Sequence, residues 1–415
     1  MDSLRFEQID ARRTGIKRAH ARTCKWLLKK REYRDWLDPC KLSEHHGFLW
    51  IKGKPGAGKS TLMKFALDDA RRTTTDKIII SFFFNARGHK LEKCTIGMYR
   101  SMLLQLLEQL SALQEVFNSL GLAGWNGNSY QWSIESLKDL FERAVLKLGR
   151  TSLTCYIDAL DECGEHQVRD MVSFYEQLGE QTTCAGIRFH VCLSSRHYPH
   201  ITITKTLTLT LEGQEGHDQD IVSYLDSELK IGRSKLAEQI RRDLQVKASG
   251  VFMWVVLVVG ILNKKHDDGH MHALQQRLRD IPGDLHELFR DMLTRDQSNR
   301  DNMLLCIQWV LFATQALRPE QLYFAILSGH EPGALAKWNP DDVALSDMKR
   351  FILSSSKGLT EVTESQTVQF IHESVTDFLL KERPTGYLVE SWSKLPRRKP
   401  RASKAVLSDV RRHWQ

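Results

Sequence analysis

The sequence has no Cys-x-x-Cys pair. Its eight cysteines stand singly along 415 residues, so neither a zinc site nor a disulfide framework is predicted, and scattered thiols fit a reducing compartment. It also lacks a long hydrophobic run. The longest, VFMWVVLVVGIL at 251–262, is too short to cross a bilayer and reads as a buried helix. The opening MDSLRFEQID carries acids and no apolar core, so no signal peptide is expected and the expected location is cytoplasmic. There is no self-similarity at the periods of repeat arrays. Basic charge is missing where a nucleic-acid groove would need it. The net charge is +8, yet residues 1–34 carry +7 and residues 394–415 another +7, which leaves −6 between them. An acidic body with basic ends does not make nucleic acid the expected ligand.

What is present is a change of periodicity along the chain. Residues 1–45 read as a helical linker, with Trp26, Leu27, Tyr33, Trp36 and Leu37 as a packed face among bases. Residues 46–212 alternate strand and helix patterns. The strand candidates are GFLWI (47–51), KIIISFFF (77–84), SLTCYI (152–157), RFHVCL (188–193) and ITKTLTLTL (203–211). The first four are near-continuous apolar runs, as parallel strands buried on both faces require. Between them, Ile134, Leu137, Phe141, Val145 and Leu148 recur at helical steps behind Ser133, a candidate N-cap. An α/β domain with a parallel sheet is predicted. Residues 213–282 read as a helical domain, broken by Pro282-Gly283. Residues 283–385 read as helices, a β-hairpin within GLTEVTESQTVQFI (358–371) and a last helix, the pattern of a winged helix. Residues 386–415 are basic, with disorder expected.

GKPGAGKST at 53–61 follows the first strand. It fits G-x-x-x-x-G-K-[ST]. Gly53, Gly56 and Gly58, with Pro55 and Ala57 between them, let the chain curl so that successive N–H groups point inward at phosphate oxygens. Lys59 adds a point charge for the outer phosphates, Ser60 a hydroxyl for Mg²⁺, and Thr61 completes the motif. A second half is needed, because the metal and the attacking water require carboxylates at the end of another strand. CYIDALDEC supplies them: Asp158 for the Mg²⁺ shell, and Asp161 and Glu162 on the exit turn to orient or deprotonate water. CLSSRHYP ends the next strand. Arg196 there is placed to meet the terminal phosphate, with Ser194 or Ser195 adding a hydrogen bond.

These three motifs, in this order and at these intervals, resemble the NACHT NTPases of the STAND class, in detail the fungal kind related to heterokaryon-incompatibility and nephrocystin-like proteins. RTCKWLL, SFFFNARG and FIHESVTDFLL share that resemblance, which covers about residues 5–385. It implies a P-loop NTPase sheet with the P-loop strand beside the Arg196 strand, then a helical and a winged-helix domain. It implies ATP/ADP and Mg²⁺ as cofactors, slow hydrolysis, and a switch that ADP holds shut and ATP opens into homo- or hetero-oligomers with NACHT proteins, in fungal innate immunity or non-self recognition. It implies that His372 touches the ADP β-phosphate. One departure concerns the base: relatives place a Gly-x-Pro in the helical domain, and SGVFMW around Gly250 has no Pro, which leaves ATP over GTP open. Full-length relatives also carry an effector domain before this region and repeats after it. The chain therefore reads as a fragment, a truncated paralogue or a stand-alone adaptor, and a non-catalytic regulator assembling with longer NACHT proteins is the alternative function. A small-molecule kinase would need an acceptor pocket or basic lid that the sequence does not offer, and HESVTDFLL is not basic enough for a DNA recognition helix.

Overall fold

The structure is a computed structural model. It describes residues 1–20, 23–74, 76–120, 131–197, 201–266, 271–294, 299–330, 343–363 and 365–381. The basic segment 386–415 and Glu364, at the joint of the expected hairpin, lie outside the described residues. The chain divides into two compact units, Met1–Arg279 and Asp280–Gln415.

The first unit is built on five strands: β1 (Phe48–Lys52), β2 (Lys77–Phe83), β3 (Ser152–Asp158), β4 (Phe189–Ser195) and β5 (Leu207–Thr210). All neighbours pair in parallel, in the order β2-β3-β4-β1-β5. Alternate residues face opposite sides of the sheet, so two cores form. Phe48, Trp50, Ile80, Phe82, Leu153, Ile157 and Val191 fill one, Leu49, Ile51, Ile79, Tyr156 and Cys192 the other. This double burial is why the strands read as continuous apolar runs rather than as alternating ones.

Helices α1 (Ala11–Gly15), α2 (Arg31–Leu37) and α3 (Leu42–His45) precede β1. A helical linker was expected over 1–45. The helices there are short and separated by 3₁₀ turns and extended residues, and Leu27, Tyr33 and Trp36 pack from them against the sheet. Then come α4 (Lys59–Thr73), α5 (Thr95–Gln109), α6 (Ile134–Leu146) and α7 (Glu165–Cys184). Ser133 caps α6, its hydroxyl accepting from Ser136 N at 3.1 Å. After β5 the same unit continues as α8 (Glu215–Glu228), α9 (Lys235–Ala248), α10 (Phe252–His266) and α11 (Met271–Asp280). The apolar run at 251–262 is α10, which buries Trp254, Val255, Val258, Val259 and Leu262 and exposes Val256. No helix among the described residues is long and apolar enough to cross a membrane.

The second unit holds α12 (Leu285–Thr294), α13 (Arg300–Phe312), α14 (Pro319–His330) and α15 (Leu345–Ser355), the antiparallel pair β6 (Thr360–Val362) and β7 (Val368–Phe370), and α16 (Glu373–Lys381). Cys306, Trp309, Leu322, Ile326, Ile352 and Val368 make its core, and Phe289 of α12 packs on Phe378 of α16 with ring centroids 5.9 Å apart.

Candidate nucleotide site

The parallel order sets β1, β4 and β3 side by side, and their carboxyl ends carry the three motifs. The loop from Gly53 leaves β1 and enters α4 at Lys59. Gly56 and Gly58 have φ of +74° and +99°, backbone that a side chain resists, and Gly58 is the N-cap of α4. The curl therefore points free amides of the first turn of α4 into the loop, the arrangement that favours anions. Lys59 folds back over it, its Nζ donating to the carbonyls of Gly53 at 2.8 Å and Lys54 at 2.9 Å. Burial lowers the pKa of Lys59, while the nearby Asp161 and Asp158 hold it up.

Asp158 ends β3 and is fully buried. Its carboxylate accepts from the hydroxyl of Ser194, on β4, and Ser60, in the first turn of α4, stands close enough for its hydroxyl to lower the Asp158 pKa. Ser194 Oγ also accepts from Ala159 N at 3.2 Å. Of the two serines considered, Ser194 is thus the one that bonds the end of the acidic strand. Ser195 instead accepts from Trp50 Nε1 at 2.9 Å. Burial raises the pKa of Asp158, and the Ser194 and Ser60 hydroxyls with the Arg12 charge offset this only in part. Its Oδ2 is buried with no hydrogen-bond partner among the described residues. A buried ionisable oxygen beside a hydroxyl at a P-loop helix fits a Mg²⁺ shell. Mg²⁺ takes few protein ligands and keeps water and phosphate oxygens. No group of three or more His, Cys, Asp or Glu among the described residues is arranged to hold a metal.

After Asp158 the chain turns through Ala159, a non-glycine residue at φ +60°, into a 3₁₀ turn at Leu160–Glu162. This turn carries the other two acids back over the sheet edge. Asp161 accepts from Arg196 twice, from its backbone N at 2.9 Å and from Nε at 2.8 Å. Burial raises the pKa of Asp161, against the pull of Arg196 and Lys59. Arg196 therefore does stand at the site, but its guanidinium engages Asp161, a pairing not expected from sequence. Glu162 accepts from Ala86 N at 2.8 Å, and Arg12 Nη2 lies 3.9 Å from its other oxygen.

The region around Gly250 also reaches the loop. Met253 N, at the start of α10, donates to Gly56 O at 2.9 Å, and Phe252 lies beside Gly58. Phe252 packs edge-on against Tyr224 of α8, centroids 5.1 Å apart. Glu212, after β5, accepts from Lys54 N and bonds His197 at 3.2 Å. Sequence reasoning passed over Glu212 and Arg12. Neither stands in a motif, and only the fold brings residues this distant in sequence together. His372 belongs to the second unit, where its Nδ1 lies 3.0 Å from Ser374 N and 2.7 Å from Ser374 Oγ, capping α16.

Residues 22–196 match the profile of the family described as Nephrocystin 3, N-terminal. Over 372 residues the chain is 26% identical to the vegetative incompatibility protein HET-E-1 of Podospora anserina, a match covering 86% of this chain and 26% of that protein. The chain thus spans about a quarter of the length of this relative. Among solved structures, a signal transduction ATPase with numerous domains and a tetratricopeptide repeat sensor from Pyrococcus horikoshii matches with 16% identity and a TM-score of 0.39, over 80% of this chain and 40% of its own. Cdc6p from Pyrobaculum aerophilum matches with 12% identity and a TM-score of 0.37, over 91% and 97% respectively.

Proposed function

We propose that this chain, whose residues 22–196 match the Nephrocystin 3, N-terminal family, is a fungal-type NACHT NTPase of the STAND class, an ATP/ADP-operated signalling switch with slow Mg²⁺-dependent hydrolysis. The observation that carries this is the meeting of Ser60 and Asp158. One stands on the helix that leaves β1, the other ends β3, and β4 lies between them. A hydroxyl and a carboxylate brought together across an intervening strand serve little purpose in packing. They are the two protein groups that a phosphate-bound Mg²⁺ needs.

In this reading the amides from Gly58 to Thr61 hold the inner phosphates, with Gly53, Pro55, Gly56 and Ala57 shaping the cradle. Lys59 exchanges its loop carbonyls for phosphate oxygens. Ser60 and Asp158 hold the magnesium, which when bound neutralises charge on the terminal phosphates. Glu162 and Asp161 orient or deprotonate the attacking water, and Arg196 leaves Asp161 for the terminal phosphate when a triphosphate binds. The base lies against Phe252 and Tyr224. A role for His372 in binding the diphosphate, a winged-helix identity for the second unit, oligomer formation with NACHT proteins in the ATP state, and a part in fungal non-self recognition in the cytoplasm belong to the same proposal.

The test is equilibrium binding of ATP and ADP with Mg²⁺, beside phosphate release. Lys59→Ala is expected to lose both nucleotides, since Lys59 is the cation whose Nζ folds back over the loop, whereas Lys54 turns its Nζ to Ser249 O. Glu162→Gln is expected to bind ATP while phosphate release falls about 100-fold, the usual range for a lost general base. Unchanged ATP affinity in Lys59→Ala would sink the assignment. ATP-dependent assembly without turnover in the unaltered protein would favour the adaptor alternative instead.

A further inference from the structure

Arg12 comes from outside every motif. It sits on α1, at the start of the chain, and α1 packs along β2. Lys64 of α4 ties this segment down by donating to the carbonyls of Thr14 and Ile16. The tether delivers the guanidinium to the acidic loop. The Arg12 side chain is only 15% exposed and the Glu162 side chain 8%.

The pair they form is incomplete. Its closest atoms are 3.9 Å apart, a charge contact beyond hydrogen-bond range. Arg12 Nε is buried and has no hydrogen-bond partner among the described residues. Buried guanidinium donors are ordinarily used, since leaving one unmet costs free energy. A purely structural arginine would be drawn onto Glu162 in two-pronged fashion. At the end of β3, within reach of the Arg12 charge, an acceptor is unmet as well, Asp158 Oδ2. An unspent donor and an unspent acceptor, set about one glutamate, match the two halves of a magnesium-bound phosphate: the acceptor takes the cation, the donor takes the anion.

We infer that Arg12 is a contact for the terminal phosphate of a triphosphate, supplied by the segment that precedes the P-loop domain. The inference rests on the nucleotide-switch reading above and names a residue that reading does not use. A planar fork suits phosphate oxygens, and the terminal phosphoryl group spreads its charge over oxygens that face away from the P-loop amides. The diphosphate lacks this group, so Arg12 distinguishes the two nucleotides. Because Arg12 travels with residues 1–20, the triphosphate also draws that segment against the site.

The experiment is calorimetric binding of ADP and of a non-hydrolysable ATP analogue, each with Mg²⁺, to the unaltered chain, Arg12→Ala, Arg12→Lys and Lys59→Ala. Arg12→Ala is expected to weaken the triphosphate about tenfold or more, the size of a lost charge-assisted hydrogen bond, and to leave ADP within about twofold. Arg12→Lys, which keeps the charge and loses the fork, falls between. Hydrogen exchange of residues 1–20 is expected to slow with the triphosphate in the unaltered chain and not in Arg12→Ala. Retained ADP affinity certifies that the variant is folded. Equal losses for both nucleotides, or no loss for either while Lys59→Ala abolishes both, overturns the inference and leaves the nucleotide site standing. Failure of the unaltered chain to bind either nucleotide overturns the site and the inference together.

Discussion

Replacing Asp158 by Asn separates what it costs to bury this carboxylate from what the carboxylate is for. The residue has no exposure, and burial drives its pKa above the ordinary 3.8 despite the Ser194 and Ser60 hydroxyls. Each unit of such a rise is about 1.4 kcal/mol against the ionised form. A raised folded pKa means that stability falls as pH climbs from 3.8 through the folded value, and the full cost persists at neutral pH. Asparagine removes the charge and keeps an acceptor for the two hydroxyls. Its amide brings donors to the position of Oδ2, a cost of about 1–3 kcal/mol if they go unmet. Burial of an ionised carboxylate costs several kcal/mol, so relief of the charge wins. The variant should melt level with the unaltered protein or above it in the absence of ligand. Ligand reverses the order. Mg²⁺-ATP at about 100 times its Kd adds about 2.7 kcal/mol, or roughly 5–11 °C at about 2–4 °C per kcal/mol. Asp158→Asn should gain no more with Mg²⁺ than with a chelator. Scanning calorimetry of both proteins at neutral pH, with and without ATP and Mg²⁺, reads all of this. A ligand-free variant melting more than about 5 °C low, or one that keeps the magnesium-dependent rise, refutes the reasoning.

Two further outcomes are expected. His190, buried in β4 against Trp36, has its pKa lowered from 6.5 to about 3, chiefly by burial. The unfolded chain takes up the proton first, so stability is lost as pH falls below 6.5, by about 1.4 kcal/mol at pH about 5.5. His190→Phe should flatten the difference in melting temperature between pH about 7.5 and 5.5 relative to the unaltered protein, and identical slopes would count against it. Phe252→Ala should weaken ADP by about 1–3 kcal/mol, the worth of a base stacked on an aromatic ring, while pyrophosphate affinity holds. Equal losses for the two ligands would place the base elsewhere.

The strands and the P-loop were legible because each is a local pattern. Val191, Cys192 and Leu193 announce a strand buried on both faces whatever lies beside it. Gly56, Gly58 and Lys59 announce a phosphate loop because the backbone conformation and the charge come from adjacent residues. The pairings across the site were not legible. Arg196 was expected to await phosphate, yet it grips Asp161, because in a buried site the nearest opposite charge captures a guanidinium. Glu212 and Arg12 could not be found from spacing at all. Their contacts with Lys54 and Glu162 are closed by the return of the chain over the sheet edge. The linker was legible only in outline: its helical character is present over Arg31–Leu37, while the 3₁₀ turn that lays Leu27 into the same core cluster has no local pattern to announce it.

The single bond from Met253 N to Gly56 O has a mechanical meaning. A carbonyl gripped from outside fixes the plane of its peptide, and with it the Ala57 N–H on the other side, which closes the loop's own turn by donating to Lys54 O at 3.2 Å. The cradle is thereby preset, and much of the entropy of shaping it is spent during folding rather than on capture of the anion. Gearing of this kind runs in both directions. A change in the α9–α10 turn, whose Ser249 and Gly250 both sit at positive φ, would detune phosphate affinity without touching a phosphate, and a bound anion would stiffen a helix whose sequence shows no sign of the site.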